Sequence, residues 1–204
     1  MKHEFWDERY RSRSALWSGK PNAHLVSEAL KLAPARALDV GCGEGADAIW
    51  LAGRGWRVTA VDFSSVALER GAARAAELGL ALRIDWLERD LMEWPPPQTS
   101  YELASAQFMQ LPADARASLF QRLSASVARG GSLLIVGHHP SDLETTVPRP
   151  PAPELYFTAE DVAASLDPRR WEIVVSAARE RTTPDPQGRA VKIHDAVLHA
   201  RRRI

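Results

Sequence analysis

Residues 37–45 of this 204-residue chain read Ala-Leu-Asp-Val-Gly-Cys-Gly-Glu-Gly, and this stretch decides the fold. The apolar run that ends at Val40 predicts a buried parallel strand. The glycines at 41, 43 and 45 predict a sharp turn that leaves no side chain between the backbone and a ligand. Residues 46–51 predict a helix whose first amides face the same crevice. A strand, a glycine turn and a helix N-terminus together indicate a nucleotide or nucleoside pocket.

The glycine pattern by itself fits more than one structure. Gly41, Gly43 and Ala46 also match the G-x-G-x-x-G/A fingerprint of dinucleotide-binding folds, and a glycine-rich turn also serves as a plain tight connection. A second predicted strand over residues 57–61 leads into Asp62. This acid follows the glycines by about 20 residues, where such folds place the carboxylate that binds ribose hydroxyls. The spacing therefore favours a nucleoside site.

The remaining sequence continues an alternation of strands and helices, which predicts a parallel sheet covered on both faces. Prolines between 140 and 153 predict a loop rather than a second domain, and Arg129-Gly130-Gly131 predicts a helix stop. A capping signal at Thr158 predicts a short helix to Leu166. The predicted strands are 36–40, 57–61, 82–88, 102–107, 132–137, 171–178 and 190–200, and the predicted helices of the core are 45–53, 65–78 and 113–128.

The composition argues against several classes of function. The 26 Lys and Arg residues balance 26 Asp and Glu residues, whereas phosphate contacts in a nucleic-acid-binding protein require a basic surface. No apolar run approaches the roughly 18 residues that span a bilayer, and the acidic N-terminus lacks the apolar stretch of a secretory signal. Cys42 is the only cysteine, so no internal disulfide or thiolate metal cluster forms. We expect a cytoplasmic protein without nucleic-acid, membrane or metal partners.

Three motifs resemble those of the class I S-adenosylmethionine-dependent methyltransferases. They are Asp-Val-Gly-Cys-Gly-Glu-Gly at 39–45, Val-Asp-Phe-Ser at 61–64 and Arg-Asp-Leu at 89–91. Their order and intervals fit that family across residues 35–137. The resemblance implies S-adenosylmethionine as methyl donor, S-adenosylhomocysteine as product and a small-molecule methyl acceptor.

Two further segments, 17–22 and 137–140, resemble small bacterial members of the tellurite-resistance and thiopurine methyltransferase group. The resemblance implies an α/β, Rossmann-like fold with a seven-stranded, mostly parallel sheet, helices on both faces and an antiparallel C-terminal β-hairpin. We expect one domain over residues 1–204. Its expected parts are a helical N-terminal lid (1–33), a cofactor-binding core (34–137) and an acceptor-side loop, short helix and hairpin (138–204).

The resemblance also assigns contacts with the donor. Asp39 is expected near the cationic amino end, Asp62 is expected to accept bonds from both ribose hydroxyls, and Phe63 is expected to face the adenine. Asp90 is expected to accept a bond from the exocyclic amine, with the Leu91 amide beside it. The other expected cofactor contacts are Trp17, Gly41, Cys42, Gly43, Gly45 and Gln107.

Three of these residues keep a second interpretation. Asp90 also suits a cap for the loop before Trp94. Trp17 suits a lid over the sulfonium, because aromatic faces attract cations, but it equally suits ordinary helix packing. Cys42 is interpreted as a small residue that fills the turn rather than as a nucleophile, since no partner base is visible in the sequence.

The candidate catalytic residues are His138 and His139, which follow the fifth predicted strand at the edge where open sheets bind ligands. Gln110 stands where related sequences often carry histidine, and Glu102 stands where they usually carry aspartate. A neutral amide cannot act as a base, whereas a soft sulfur or selenium acceptor needs less proton removal than an alcohol. These residues favour a thiol or selenol acceptor.

Other functions stay open from the sequence. One is O- or N-methylation of a small aromatic metabolite with His138 or His139 as base. Another is a non-catalytic S-adenosylmethionine-binding protein, which the missing base favours. An NAD-dependent oxidoreductase is supported only by the shared glycine and acid pattern. The sequence predicts no oligomeric state.

Overall fold

A seven-stranded sheet forms the centre of the computed structural model, which describes residues 8, 10–12 and 19–204. The strand order is β3-β2-β1-β4-β5-β7-β6; neighbours among β1 to β5 pair in parallel, and β7 runs antiparallel to both β5 and β6. The predicted fold class is therefore confirmed.

The strands are β1 Arg36–Val40, β2 Arg57–Asp62, β3 Ile84–Glu88, β4 Tyr101–Gln107, β5 Val127–His138, β6 Trp171–Pro184 and β7 Ala190–Arg202. The α-helices after residue 19 are α1 Ala23–Ala29, α2 Ala46–Gly53, α3 Ser65–Glu77, α4 Ala113–Ser126 and α5 Ala159–Ala164.

Strand β5 shows how the sheet divides the core. Leu133 and Ile135 pack in the cluster that contains α4 and α5, whereas Leu134 and Val136 pack in the cluster that contains α1, α2 and α3. Successive side chains of a strand point to opposite faces, so a strand covered by helices on both sides must be apolar throughout. This explains the continuous apolar run at 133–136 and places β5 in the interior of the sheet.

Side chains at two helix starts satisfy backbone amides, and the one at Thr158 was predicted from the sequence. The Asn22 side chain accepts a hydrogen bond from the His24 amide at 2.8 Å. Thr158 and Asp161 form a reciprocal capping box at the start of α5. Because such caps bind amides that have no partner inside the helix, they fix where each helix begins.

The predicted end of the core helix at 113–128 was wrong. The sequence predicts a helix to residue 128 with Arg129-Gly130-Gly131 as its stop, but α4 ends at Ser126 and β5 already begins at Val127. Val127 is fully buried and pairs with Tyr101 of β4. A Cβ on Gly131 would lie 3.0 Å from the Glu102 carbonyl oxygen, so the glycine allows the two strands to approach closely at this irregular register. The glycines thus belong to the strand.

The acceptor-side segment also has more regular structure than expected. The predicted loop contains two 3₁₀ turns, Pro140–Glu144 and Pro153–Leu155. The terminal hairpin is longer than predicted and stays paired to its tip, where Pro184 lies opposite Ala190. His138 is the last residue of β5 and pairs with Asp195 of β7, whereas the sequence placed it beyond the strand.

Helix α1 is attached to the hairpin through two buried carboxylates. Glu28 of α1, which is 1% exposed, contacts His199 of β7 at 3.2 Å and accepts a bond from Arg179 of β6 at 2.6 Å. Asp195 of β7 contacts His24 of α1 at 3.1 Å. These contacts join the helix that precedes the core to the last two strands.

Among the residues that the structure describes, no helix is long and apolar enough to cross a membrane.

Candidate active site

The carboxyl ends of the parallel strands bring the predicted site residues to one edge of the sheet. Asp39 is the next-to-last residue of β1, while Asp62, Gln107 and His138 end β2, β4 and β5. Open parallel sheets bind ligands in the crevice at this edge. Trp17 lies outside the described residues, as does part of the predicted lid over 1–33, so the lid stays a prediction.

The glycine turn between β1 and α2 uses its own amides. Gly41 and Cys42 both donate to the Val61 carbonyl oxygen, at 2.8 and 3.1 Å, and Gly43 donates to the Asp62 carboxylate at 2.9 Å. The other Asp62 oxygen accepts a bond from the Ser64 amide at 3.0 Å. The backbone amides of these three residues are therefore bonded within the protein. Asp62 holds the turn in place in addition to any contact with a ligand.

Trp86 of β3 supports the turn, although β2 lies between β3 and β1 in the sheet. A Cβ on Gly45, whose φ is +76°, would lie 2.2 Å from the Trp86 ring, and a Cβ on Gly71 of α3 would lie 2.6 Å from the same ring. Both glycines leave room for the indole. Gly45 is required twice, once for its left-handed backbone and once for this contact.

Replacing Gly45 with alanine should separate these two requirements. The left-handed backbone alone costs an alanine about 1–2 kcal/mol, and overpacking against the rigid indole adds about 1–3 kcal/mol. Gly188 in the β6–β7 turn is a matched control, because its φ is +77° and a Cβ there meets nothing within 4 Å. Urea unfolding should show a larger loss for Gly45→Ala than for Gly188→Ala. Equal losses would contradict the role of Trp86.

Three carboxylates converge beside the turn: Asp39, Asp62 and, on the first turn of α2, Asp47. Burial raises the pKa of Asp39 well above its usual value, and the negative charges of Asp47 and Asp62 raise it further. Burial also raises the pKa of Asp47 to about 6, although the Asn22 amide donates to it at 2.6 Å. The same burial and the nearby carboxylates raise the pKa of the Cys42 thiol, which fits the interpretation of Cys42 as a packing residue.

Several acceptor atoms at this edge have no partner. Within the described part of the chain, the buried side-chain atoms without a hydrogen bond include Asp39 Oδ2, Gln107 Oε1 and His138 Nδ1. Buried polar atoms are normally paired, and an unpaired one calls for an explanation such as a ligand. Gln107 Oε1 can only accept hydrogen bonds, and so can the Asp39 carboxylate once it is ionised. The site therefore suits a ligand that carries hydroxyl or ammonium donors.

The predicted adenine side is built on the segment after β3. The Asp90 carboxylate accepts a bond from the Met92 amide at 2.8 Å, so Asp90 does cap its own loop. Leu91 buries its side chain in the core, and its carbonyl accepts a bond from Arg122 at 2.5 Å. Phe63 is half-buried directly after β2. Their contacts with adenine stay predictions.

Three segments meet around His138 on the acceptor side. The rings of Phe108 and His138 have centroids 4.7 Å apart, and the Tyr156 ring lies 6.3 Å from His138. Phe108 directly follows β4 and has φ +52°, which is uncommon outside glycine and is found where a site fixes the backbone. The loop after β4, the end of β5 and the 140–157 segment thus form one aromatic wall.

His138 lies between two buried carboxylates. Its Nδ1 is 4.0 Å from Asp142 and 4.0 Å from Asp195, too far for a direct hydrogen bond. Asp142 pairs with Arg149 at 3.1 Å, and Asp195 pairs with Arg181 at 2.6 Å. Burial, reinforced by the Arg149 charge, lowers the pKa of His138 to about 4 despite the two carboxylates. The imidazole is neutral at pH 7.

His139 has a local structural partner. Its Nδ1 accepts a hydrogen bond from the Ser141 amide at 3.2 Å and lies 2.9 Å from the Ser141 hydroxyl. It thereby caps the 3₁₀ turn that begins at Pro140. Of the two adjacent histidines, His138 faces the aromatic wall, and His139 stabilises the following turn.

Several site residues were not found from the sequence. Asp195 reaches His138 only because β7 inserts between β5 and β6, and no local motif encodes that register. Asp47 carried a detectable signal, as an acid in the first turn of the helix after the glycines. Glu102, where related sequences usually carry aspartate, lies at the opposite end of β4 and pairs with Arg36 at 3.0 Å, away from this edge. In the described ranges, no group of three or more His, Cys, Asp or Glu side chains is arranged to hold a metal ion.

Comparison with known proteins assigns the central part of the chain to a family. Residues 37–131 match a family described as a methyltransferase domain. The thiopurine S-methyltransferase of Xanthobacter autotrophicus is 28% identical over 192 residues, which cover 82% of this chain and 89% of that protein. The matched part of the chain therefore belongs to the methyltransferase-domain family. The prediction made from its motifs, including the likeness to the tellurite-resistance and thiopurine group, is confirmed.

Two further comparisons place the chain among known proteins. A probable thiol methyltransferase 2 of Arabidopsis thaliana is 33% identical over 97 residues, which are 46% of this chain and 42% of that protein. The chain spans less than half the length of the first curated relatives that it matches. The crystal structure of TehB from Haemophilus influenzae aligns with this chain at a TM-score of 0.73 and 22% sequence identity. The alignment covers 98% of this chain and 67% of the TehB chain, so the two proteins share a fold.

Proposed function

We propose that this methyltransferase transfers the methyl group of S-adenosylmethionine to a small-molecule thiol or selenol and releases S-adenosylhomocysteine. The observation that carries the proposal is the surplus of hydrogen-bond acceptors at the glycine turn. Asp39 Oδ2 and Gln107 Oε1 are buried without partners, and three carboxylates converge beside the turn. A ligand with an ammonium group and ribose hydroxyls supplies the donors that these atoms lack.

The same observation argues against the dinucleotide alternative. A pyrophosphate requires free amides and a positive helix terminus. The amides of Gly41, Cys42 and Gly43 are bonded within the protein, and Asp39, Asp47 and Asp62 would repel phosphate charge. The residues of this site therefore fit S-adenosylmethionine better than NAD.

S-adenosylmethionine supplies an activated methyl group, so the work of the protein is mainly to orient two reactants. Orientation at near-attack distance contributes roughly 7–11 kcal/mol to such reactions. In this chain Asp62 would bind the ribose, Asp39 would accept the ammonium, and Gly45 with Trp86 would keep the turn in shape. Phe108 and Tyr156 would exclude water on the acceptor side.

The chemistry of His138 favours a soft acceptor. A general base works best with a pKa near the operating pH, whereas the pKa of His138 is lowered to about 4. Such a weak base gives little help to an alcohol or phenol. A thiol with an ordinary pKa of about 8.5 already exists partly as thiolate near pH 7.5, which removes the need for a base. The relatives named as thiopurine and thiol methyltransferases support the same class of acceptor.

Turnover with matched acceptors tests the proposal. We expect methylation of small aromatic thiols, with kcat/KM rising with pH until the thiol is ionised, and much slower methylation of the corresponding phenols. His138→Asn should lower thiol turnover less than tenfold, against the roughly 10²–10⁴-fold that loss of a general base produces. A thousandfold loss with unchanged donor affinity would show that His138 acts as a general base, which would contradict the soft-acceptor proposal and favour O- or N-methylation. Donor binding without turnover of any thiol, selenol, phenol or amine would indicate a non-catalytic binding protein.

A further inference from the structure

One carboxylate oxygen of Asp39 has no hydrogen-bond partner. The residue is 2% exposed, and its Oδ2 makes no hydrogen bond. Its neighbours are satisfied: Asp62 accepts bonds from the Gly43 and Ser64 amides, and Asp47 accepts a bond from the Asn22 amide. An unpaired buried carboxylate oxygen beside two other carboxylates is a strong acceptor for a cationic donor.

The charges around Asp39 come from several elements. Asp47 lies on α2, Asp62 ends β2, and the Cys42 thiol lies in the turn, while Ser105, the β4 residue paired with Asp39, carries no charge. From the segment before α1, the Asn22 amide bonds Asp47, and Lys20 is exposed. Within α1, His24 is bonded to Asp195. The charges that act most strongly on Asp39 are therefore negative.

The buried carboxylates of Asp39 and Asp62, with the partly buried Asp47 acting on Asp39 as well, do not all ionise, because each charge opposes the next in a medium that screens poorly. A shared proton is the simplest way to reduce the repulsion while the site holds no cation. When a cation binds, its positive charge reduces the repulsion between the carboxylates instead. The proton then becomes unfavourable and leaves to solvent.

Building on the proposed function, we propose that Asp39 and Asp47 hold one proton between them in the free protein. The ammonium group of the methyl donor displaces it, donating a hydrogen bond to Asp39 Oδ2 while the proton passes to solvent. Donor binding is then linked to pH through the amino-acid end of the ligand. The adenosine end takes no part in this linkage.

Calorimetry of S-adenosylhomocysteine binding to the full chain measures the linkage directly. Titrations near pH 6.5 in buffers of different ionisation enthalpy should show release of close to one proton per ligand. Affinity should rise between pH 5.5 and 7.5 with a slope approaching tenfold per pH unit, which is the slope of one released proton. 5′-Methylthioadenosine, which lacks the amino-acid group, should bind the same protein without releasing a proton.

Variants assign the proton to these residues. Asp39→Asn should bind more weakly but without proton release, and Asp47→Asn should move the pH dependence to lower pH because one repelling charge is gone. Asp114→Asn, at an exposed position in the first turn of α4, is the matched control and should leave the linkage unchanged.

Different results overturn different statements. Binding of S-adenosylhomocysteine with no proton release between pH 5.5 and 7.5 would overturn the inference and leave the proposed function standing. Equal release with 5′-methylthioadenosine, or undiminished release in Asp39→Asn, would also overturn the inference, because the proton would come from another group. Failure of the chain to bind either ligand would overturn the proposed function and the inference together.

Discussion

Replacing Asp62 with alanine is expected to weaken S-adenosylhomocysteine binding by about ten- to a hundredfold, since a hydrogen bond to a charged group contributes about 1.5–3 kcal/mol. Two effects combine in this variant. The expected contact with the ribose hydroxyls is lost. In addition, the Gly43 and Ser64 amides lose the carboxylate that positions them, at 2.9 and 3.0 Å. Calorimetry at pH 7.5 measures the change.

Two further variants separate the effects on binding from general damage. Asp62→Asn keeps one acceptor oxygen for the turn but loses the charge, so its affinity should lie between those of the wild type and Asp62→Ala. Asp85→Ala removes an exposed carboxylate from the adjacent strand β3 and should bind normally. An unchanged affinity in Asp62→Ala would show that this carboxylate does not bind the donor.

The second large effect is expected at Glu28, which attaches α1 to the hairpin. Glu28→Ala should lower the free energy of unfolding by about 3 kcal/mol, the lower end of the range for breaking a buried ion pair. Arg179 and Lys31 lose a partner but can form hydrogen bonds with water instead, because their side chains are partly exposed. His199 cannot, since it is buried and held between Glu28 and the Ser132 hydroxyl at 3.2 and 3.0 Å. Urea unfolding at pH 7 measures the loss.

The same network predicts how stability depends on pH. Burial raises the pKa of Glu28, but hydrogen bonds from Lys31, Arg179 and His199 outweigh it and lower that pKa from 4.5 to about 2. Because the folded pKa lies below the unfolded one, the stabilisation is present above pH 4.5 and is lost as the pH falls towards 2. Burial also lowers the pKa of His199 below its usual 6.5, so the unfolded chain takes up that proton first and stability begins to fall below pH 6.5.

A matched variant tests this account of Glu28. Glu69→Ala removes an exposed glutamate from α3 and should change stability by less than about 0.5 kcal/mol, as is usual for surface positions. In Glu28→Ala, the part of the stability loss between pH 4.5 and 2 should disappear, while the part that begins below pH 6.5 should stay. A stability equal to that of the wild type at pH 7 would show that α1 is held by its apolar contacts alone.

The local order of elements was predictable wherever the pattern itself carries the physics. A buried strand must be apolar, a turn against an indole must be glycine, and a helix start must cap its amides. Residues 37–53, 57–62 and 65–77 therefore fold as the sequence predicts, apart from one or two residues at their ends. At Val127 the local pattern was misleading, because burial against Tyr101 outweighed the glycine stop signal that follows.

By itself the sequence determined the family resemblance, the α/β fold and the position of the strand-end acids beside the glycine turn, because glycines and acids at fixed spacing lie on adjacent parallel strands. The tertiary structure alone decided the acceptor side and the charge of the site. Asp195 meets His138 only through the insertion of β7 between β5 and β6, and the aromatic wall joins Phe108 to Tyr156 across distant segments. Protonation also depends on the tertiary structure, because burial and neighbouring charges set the pKa values of Asp39, Asp47 and His138. Burial and the proximity of charges arise only when distant parts of the chain pack together.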